Sequence, residues 1–146
     1  MAATRQARAI WNGDLAKGTG MVSATSSGKF KDLPVSWGAR TESPQGKTSP
    51  EELLAAAHAS CFCMALSAGL AKAGTPPEQL DVTATVTFDK VGESWTVTAS
   101  ALEVKGKVPG IDAAAFEKAA NDAKDGCPIS RALKGNVKLS VTPQLA

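Results

Sequence analysis

The chain has 146 residues, 43% of them apolar and 21% charged, which is the length and make-up of one ordinary globular domain, residues 1–146, and not of a disordered chain. Sixteen basic residues against fourteen acidic ones leave a formal charge of only +2, with the signs interspersed. That excludes the electrostatic footprint of a nucleic-acid binder, and no basic amphipathic run points to a membrane surface.

In chain order, the first residues carry charge with no apolar stretch behind them, so no secretory signal is expected. Ala7 to Trp11 ends at Asn12-Gly13 and Thr19 to Ser23 follows Lys17-Gly18, which predicts a hairpin. Lys29 to Arg40, interrupted by Pro34, reads as a weaker extended segment suited to a sheet edge.

Thr48 to Ala73 carries the strongest helix signal. Ser49 precedes Pro50 at the first helical position, and Glu52 lies three residues after Ser49, a capping box. Gly74 and Pro76-Pro77 stop the helix. Its nineteen-residue apolar run, Leu53 to Ala71, is long enough to raise the question of a membrane span. The run is mostly alanine and is broken by His58, Ser60 and Ser67, so a helix enclosed by protein is expected, covered by a wrapped sheet or a partner subunit. A soluble, cytoplasmic protein with no membrane partner follows.

From Asp81 the period falls to two. Val82, Ala84, Val86 and Phe88 alternate with threonines, and after a turn at Val91-Gly92 the alternation resumes with Trp95, Val97 and Ala99 against Thr96, Thr98 and Ser100. Asp112 caps a helix reaching about Lys124, Pro128 opens a short second one, and Val137, Leu139 and Val141 mark a closing strand. Segregated blocks of strand and helix predict an α+β domain.

The chemistry rests on three cysteines, too few and too unevenly placed for a secreted disulfide framework. Cys61-Phe-Cys63 is tighter than zinc spacing, and the single histidine offers no second ligand cluster, so no metal site is expected. Cys127, between Gly126 and Pro128, stands at the N-cap of the short helix, where helix dipole and free N–H groups favour a thiolate; a buried small hydrophobe is an equal alternative. Cys61 lies in mid-helix and keeps its proton unless a cation arrives from elsewhere, so local context favours a core cysteine. Cys63, two positions on, faces away from Cys61 and is read as packing. His58, one turn before Cys61, allows a Cys–His hydrolase, but without an oxyanion-hole pattern a buried, satisfied histidine is the better reading.

Two segments, Thr48-Ser-Pro-Glu-Glu-Leu-Leu-Ala-Ala-Ala-His-Ala-Ser-Cys61-Phe and Asp125-Gly-Cys127-Pro-Ile-Ser, resemble the two cysteine motifs of the OsmC/Ohr family of thiol-dependent peroxidases. The likeness extends through Ala9-Ile-Trp-Asn-Gly-Asp, Gly38-Ala-Arg-Thr, Asp89-Lys-Val and Val108-Pro-Gly-Ile-Asp, and Ala-His-Ala-Ser-Cys with Gly-Cys-Pro-Ile-Ser favours the OsmC branch. The resemblance implies an OsmC-like fold, antiparallel sheets wrapped around a long central helix, in an intertwined homodimer. It implies reduction of organic hydroperoxides, and less well of hydrogen peroxide, with Cys61 as the peroxidatic and Cys127 as the resolving cysteine. Arg40 matches the arginine that stabilises the thiolate, and Glu51 the glutamate that pairs with it. A Cys61–Cys127 disulfide would be recycled by an external dithiol, lipoyl-type or other, with no metal, haem or flavin cofactor. An apolar pocket lined by Phe62 or by tryptophans would favour organic substrates.

One constraint accompanies these roles. Ten helical residues span about 15 Å, so Glu51 cannot approach Cys61 along one straight helix. Arg40 must bridge from another segment, the helix must bend, or Glu51 must come from a second subunit. The alternative from a different class is a non-catalytic redox sensor or thiol-binding module that uses the same cysteine pair.

Overall fold

A computed structural model describes residues 1–146, which fall into two compact units, Met1–Leu53 and Leu54–Ala146. The first unit contains β1 (Ala7–Asn12), β2 (Thr19–Ala24) and β3 (Leu33–Val35) in one antiparallel sheet of order β1-β2-β3. The β1–β2 hairpin forms as the turn residues predict. Its loop is drawn tight by the Asp14 carboxylate, which accepts from the Lys17 N–H at 2.7 Å, and Gly18 is required because a Cβ there would run into the Asp14 carbonyl oxygen.

The segment expected to be extended through Arg40 is not. The strand ends at Val35, and Ser36 caps a short helix, α1 (Trp37–Thr41), by accepting from the Ala39 N–H at 3.2 Å. Pro34 does sit in the edge strand, as its missing N–H requires. A serine three residues before an available N–H competes with strand pairing, and here it wins.

The long helix α2 (Pro50–Lys72) starts in this unit. Ser49 Oγ accepts from the Glu52 N–H at 3.1 Å, while the Glu52 carboxylate takes the Thr48 hydroxyl at 2.7 Å, a capping box with its return bond moved by one residue. At the far end Gly74, at φ +90°, and the Thr75 N–H on the Leu70 carbonyl at 2.9 Å terminate it.

In the second unit β4 (Gln79–Val91) and β5 (Ser94–Lys107) form a long antiparallel hairpin, and β6 (Lys138–Leu145) lies beside β5. The β5–β6 pairing is parallel, so this sheet is mixed where an antiparallel one was expected. Parallel neighbours need a crossover, supplied by α3 (Ala113–Gly126) and α4 (Pro128–Leu133). Asp112 caps α3 through the Ala115 N–H at 2.8 Å.

The alternation along β5 carries a phase slip. Val82 faces Val104, Ala84 faces Leu102 and Val86 faces Ser100, but Thr87 then opposes Ala99 while Phe88 opposes Val97. Thr98 is the extra residue of a bulge. Val97 before the bulge and Ser100, Leu102 and Val104 after it therefore share one face, and Ser100 is buried although simple alternation puts it with the threonines.

The core of this unit gathers Phe62, Leu66 and Leu70 of α2, Leu102 and Val104 of β5, and Phe116, Ala120 and Ala123 of α3. His58, Phe62, Leu66 and Leu70 recur every fourth residue, so one stripe of α2 is covered while Met64 is 72% exposed. By length and composition alone α2 could cross a membrane. Its covered stripe packs in protein, each large side chain contributing about 1.5–3 kcal/mol.

Candidate active site

Cys127 owes its position to the residue after it. Proline cannot continue α3, and it pushes the preceding residue out of the helical region. Cys127 accordingly adopts φ −60° and ψ 136°, closing α3 through its own N–H on the Ala123 carbonyl at 2.9 Å and opening α4 with its carbonyl. Its Sγ acts as the helix cap and accepts from the Ser130 N–H at 3.4 Å. The sulfur is fully buried.

Cys61, a half-buried residue on α2, lies within hydrogen-bonding reach of the Cys127 sulfur, so the structure brings together the two cysteines that the sequence singled out. The two thiols are driven apart electrostatically. Burial pushes Cys61 up, and a hydrogen bond from the Ile129 backbone and the charge of Arg131 only partly oppose it. For Cys127 burial also favours the thiol, but it is outweighed by hydrogen bonds from the Ser130 side chain and N–H, from Cys61 and from the Ile129 backbone, and the net shift is downward. The surroundings thus favour the thiol at Cys61 and the thiolate at Cys127.

His58 is fully buried and satisfied at both ring nitrogens, with Nδ1 2.6 Å from Ser100 Oγ and Nε2 2.8 Å from Ser130 Oγ. Burial lowers its pKa, which keeps the ring neutral. It is the buried, satisfied histidine that the residues favoured. Sequence reasoning missed both serines. Ser130 had a signal, lying three residues after an N-cap; Ser100 had none, because the bulge hides its inward phase.

In the first unit Arg40 and Glu51 form a forked ion pair. Arg40 Nε lies 2.9 and 3.1 Å from the two carboxylate oxygens, and Nη2 lies 2.8 Å from Oε1. The Glu51 side chain is 9% exposed and that of Arg40 31%. The guanidinium also lies over the Trp37 ring at 5.9 Å. Glu51 occupies the first turn of α2, where its charge faces the positive end of the helix dipole. Trp11, Leu15, Val35, Trp37, Arg40 and Pro50 line an apolar slot of about 330 Å³. Tryptophans thus border a slot that holds a cation, whereas Phe62 is packed in the core of the second unit.

Cys63 is half-buried, its thiol pushed up by burial and by Asp81, and it borders a surface groove with Met64, Ser67 and Leu80. No three His, Cys, Asp or Glu side chains gather as a set able to hold a metal ion.

Comparison with known proteins gives a consistent answer. A family model described as "OsmC-like protein" matches residues 43–142. The chain is 44% identical over 135 residues to Peroxiredoxin OsmC of Escherichia coli K12, covering 92% of this chain and 93% of that one. It is 31% identical over 104 residues to organic hydroperoxide resistance protein OhrA of Bacillus subtilis, covering 70% and 71%. Among solved structures it resembles an organic hydroperoxide resistance protein OsmC from Legionella pneumophila, with TM-score 0.69, 26% identity and coverage of 97% and 99%. The OhrB protein of B. subtilis shares its fold, with TM-score 0.76, 23% identity and coverage of 95% and 98%.

Proposed function

The chain belongs to the OsmC-like family and is a peroxidase of that family, and from this premise we propose that it reduces organic hydroperoxides, and hydrogen peroxide less well, by cysteine chemistry. The observation that carries this reading is the Cys61–Cys127 pair, two sulfurs of the second unit held within hydrogen-bonding reach by a long helix and a helix junction.

The cycle has three steps. The Cys61 thiolate attacks the distal peroxide oxygen; the O–O bond breaks, the alkoxide takes up a proton and leaves as alcohol, and Cys61 becomes a sulfenic acid. Cys127 attacks the Cys61 sulfur, hydroxide leaves as water with the proton that Cys127 gives up, and a disulfide forms. An external dithiol, lipoyl-type or other, reduces that disulfide by exchange and is itself oxidised.

Cys61 needs a further cation to ionise, because burial and the neighbouring Cys127 hold its proton against the charge of Arg131. On this reading Arg40 supplies it, oriented by Glu51 through a fork that only a guanidinium can make.

We further take residues 1–146 as one functional domain that works in the cytoplasm as an intertwined homodimer. Support comes from apolar side chains bare in a single chain: Ile10, Met21, Met64 and Val91 are all exposed by more than two fifths.

The test is dithiol-dependent consumption of an alkyl hydroperoxide beside hydrogen peroxide, with wild type and Cys61→Ser. Fast alkyl turnover that vanishes in the serine variant is expected. A disulfide that forms without turnover would mark a redox sensor, and full activity in Cys61→Ser would overturn the assignment of the attacking sulfur.

A further inference from the structure

We infer that His58, with Ser100 and Ser130, is a positioning residue for Cys127: the three form a buried hydrogen-bond relay whose direction decides whether the Cys127 sulfur meets a donor or an acceptor. The inference rests on the reading of Cys127 as the cysteine that closes the disulfide.

The geometry gives the relay two fully reversed states. A neutral imidazole has one N–H and one lone pair, and both ring nitrogens of His58 face serine hydroxyls, at 2.6 Å from Ser100 and 2.8 Å from Ser130. Each hydroxyl has one proton to give. In the first state Ser100 donates to Nδ1, the Nε2–H donates to Ser130 Oγ, and the Ser130 hydroxyl is free to donate to Cys127. In the second every bond is reversed: the Cys127 thiol donates to Ser130 Oγ, Ser130 donates to Nε2, and the Nδ1–H donates to Ser100. The first state serves a thiolate and the second a thiol. The imidazole tautomer is therefore coupled to the protonation of a sulfur that it does not touch.

A mixed arrangement is penalised. A Cys127 thiolate beside the Nδ1–H tautomer would face a serine whose only proton is committed to the ring, leaving one donor fewer on a fully buried anion. When Cys127 attacks a sulfenic acid, its proton ends on the departing hydroxide, and the relay is left in the direction that stabilised the nucleophile.

The charged and titratable neighbours do not compete for this role. From α2 they are His58 and Cys61, and from the end of α3 Lys124 and Asp125, which pair with each other at 3.5 Å. From α4 and its end they are Arg131, whose charge acts on Cys61, and Lys134, which borders the groove beside Ser130. β5 contributes Ser100, which does not titrate. Burial keeps His58 neutral, so it acts by its tautomer and not by its charge.

The experiment exploits two counts: the chain has one histidine and three cysteines. In full-length Cys61→Ser/Cys63→Ser, Cys127 is the sole thiol; its ionisation is read from thiolate absorbance across pH, and the His58 tautomer from the ¹⁵N shifts of the only imidazole. The tautomer is expected to change from Nδ1–H to Nε2–H through the thiol's own titration. Adding Ser130→Ala should move that titration up by about one pH unit, and Ser130→Thr, which keeps the hydroxyl, should restore most of it. A tautomer unchanged across the titration overturns the relay, as does a Ser130→Ala titration that coincides with the parent's. The tautomer measurement needs no change at His58 or Ser130, so it stands even where the alanine variant does not fold. Neither readout involves peroxide, so loss of the relay and absence of peroxidase turnover in the wild type are separate outcomes.

Discussion

Arg40 holds both carboxylate oxygens of Glu51, at 2.9 and 3.1 Å from Nε, with Nη2 adding a third contact at 2.8 Å. The pair is unequal, since the glutamate is nearly buried and the arginine is about a third exposed.

That inequality makes the two truncations differ. Arg40→Ala strands a buried carboxylate, whereas Glu51→Ala leaves a guanidinium that water and the Trp37 ring can still serve. Arg40→Ala should cost about 2–3 kcal/mol in urea unfolding, somewhat below the cost of breaking a fully buried pair, and Glu51→Ala about 1 kcal/mol less than that. Equal losses would show that the carboxylate is not the stranded partner.

Activity should rank differently from stability. If Arg40 orients the peroxide and Glu51 orients Arg40, either truncation lowers kcat/KM for an alkyl hydroperoxide by about 100-fold, the scale of a misplaced catalytic group. Arg40→Lys should fare no better, because an ammonium cannot reproduce the fork. Steady-state rates with a dithiol reductant check this; a near wild-type Lys variant would mean that charge alone suffices.

His58 sets a pH limit on stability. Burial places its folded-state pKa below its ordinary value near 6.5, so between those two values the unfolded chain binds a proton that the folded chain refuses. The contribution is complete above pH 6.5, is lost as the pH falls through that value, and stops changing once the folded pKa is passed. Melting temperatures recorded from pH 7.5 to 5 should drop more steeply for wild type than for His58→Gln, which has no proton to take up.

Gly106 is a packing requirement of β5. A Cβ there would run into the Phe116 ring, with Cε1 only 2.6 Å away, and both residues are buried. Gly106→Ala should destabilise by about 1–3 kcal/mol through overpacking, and Phe116→Leu in the same chain should return part of that loss. A double-mutant cycle by chemical denaturation measures the coupling; strict additivity would refute it.

The homodimer is open to direct test. Met64, 72% exposed on α2, and Val91, 57% exposed at the tip of the β4–β5 hairpin, are bare apolar groups in one chain. Sedimentation equilibrium should give a dimer for wild type and a shift towards monomer for Met64→Glu. A monomeric wild type at micromolar concentration would remove the proposal.

What could be read from the sequence was what depends on near neighbours. Ser49, Asp112 and Cys127 announce helix starts by the residues within one turn of them, and all three cap as expected. The hairpin loop at Asn12-Gly13 and the stop at Gly74 are equally local. What stayed hidden depends on partners far along the chain. Val137 to Val141 alternates identically whether β6 runs parallel or antiparallel to β5, and only the α3–α4 crossover decides. The bulge at Thr98 is created by register with β4, so no window around Ser100 could have turned it inward. The cysteine pair and the Arg40–Glu51 ion pair were singled out through motifs, while the Ser100–His58–Ser130 chain needed both sheet register and the crossover.

The crossover has a last consequence, for thermodynamic linkage. Cys127 sits at the α3–α4 junction within the crossover that lets β6 pair with β5, and there it meets Cys61. A bond between these sulfurs would close a loop from α2 through β4, β5 and α3, which chain entropy values at about 4 kcal/mol against the unfolded ensemble. The same free energy works in reverse: whatever the bond adds to folding, folding adds to the bond. The oxidised chain should therefore resist denaturant more than the reduced one, and the native scaffold should draw the couple toward its oxidised side. Each turnover would then alternate between a looser and a tighter protein, with the external dithiol supplying the driving force to loosen it again.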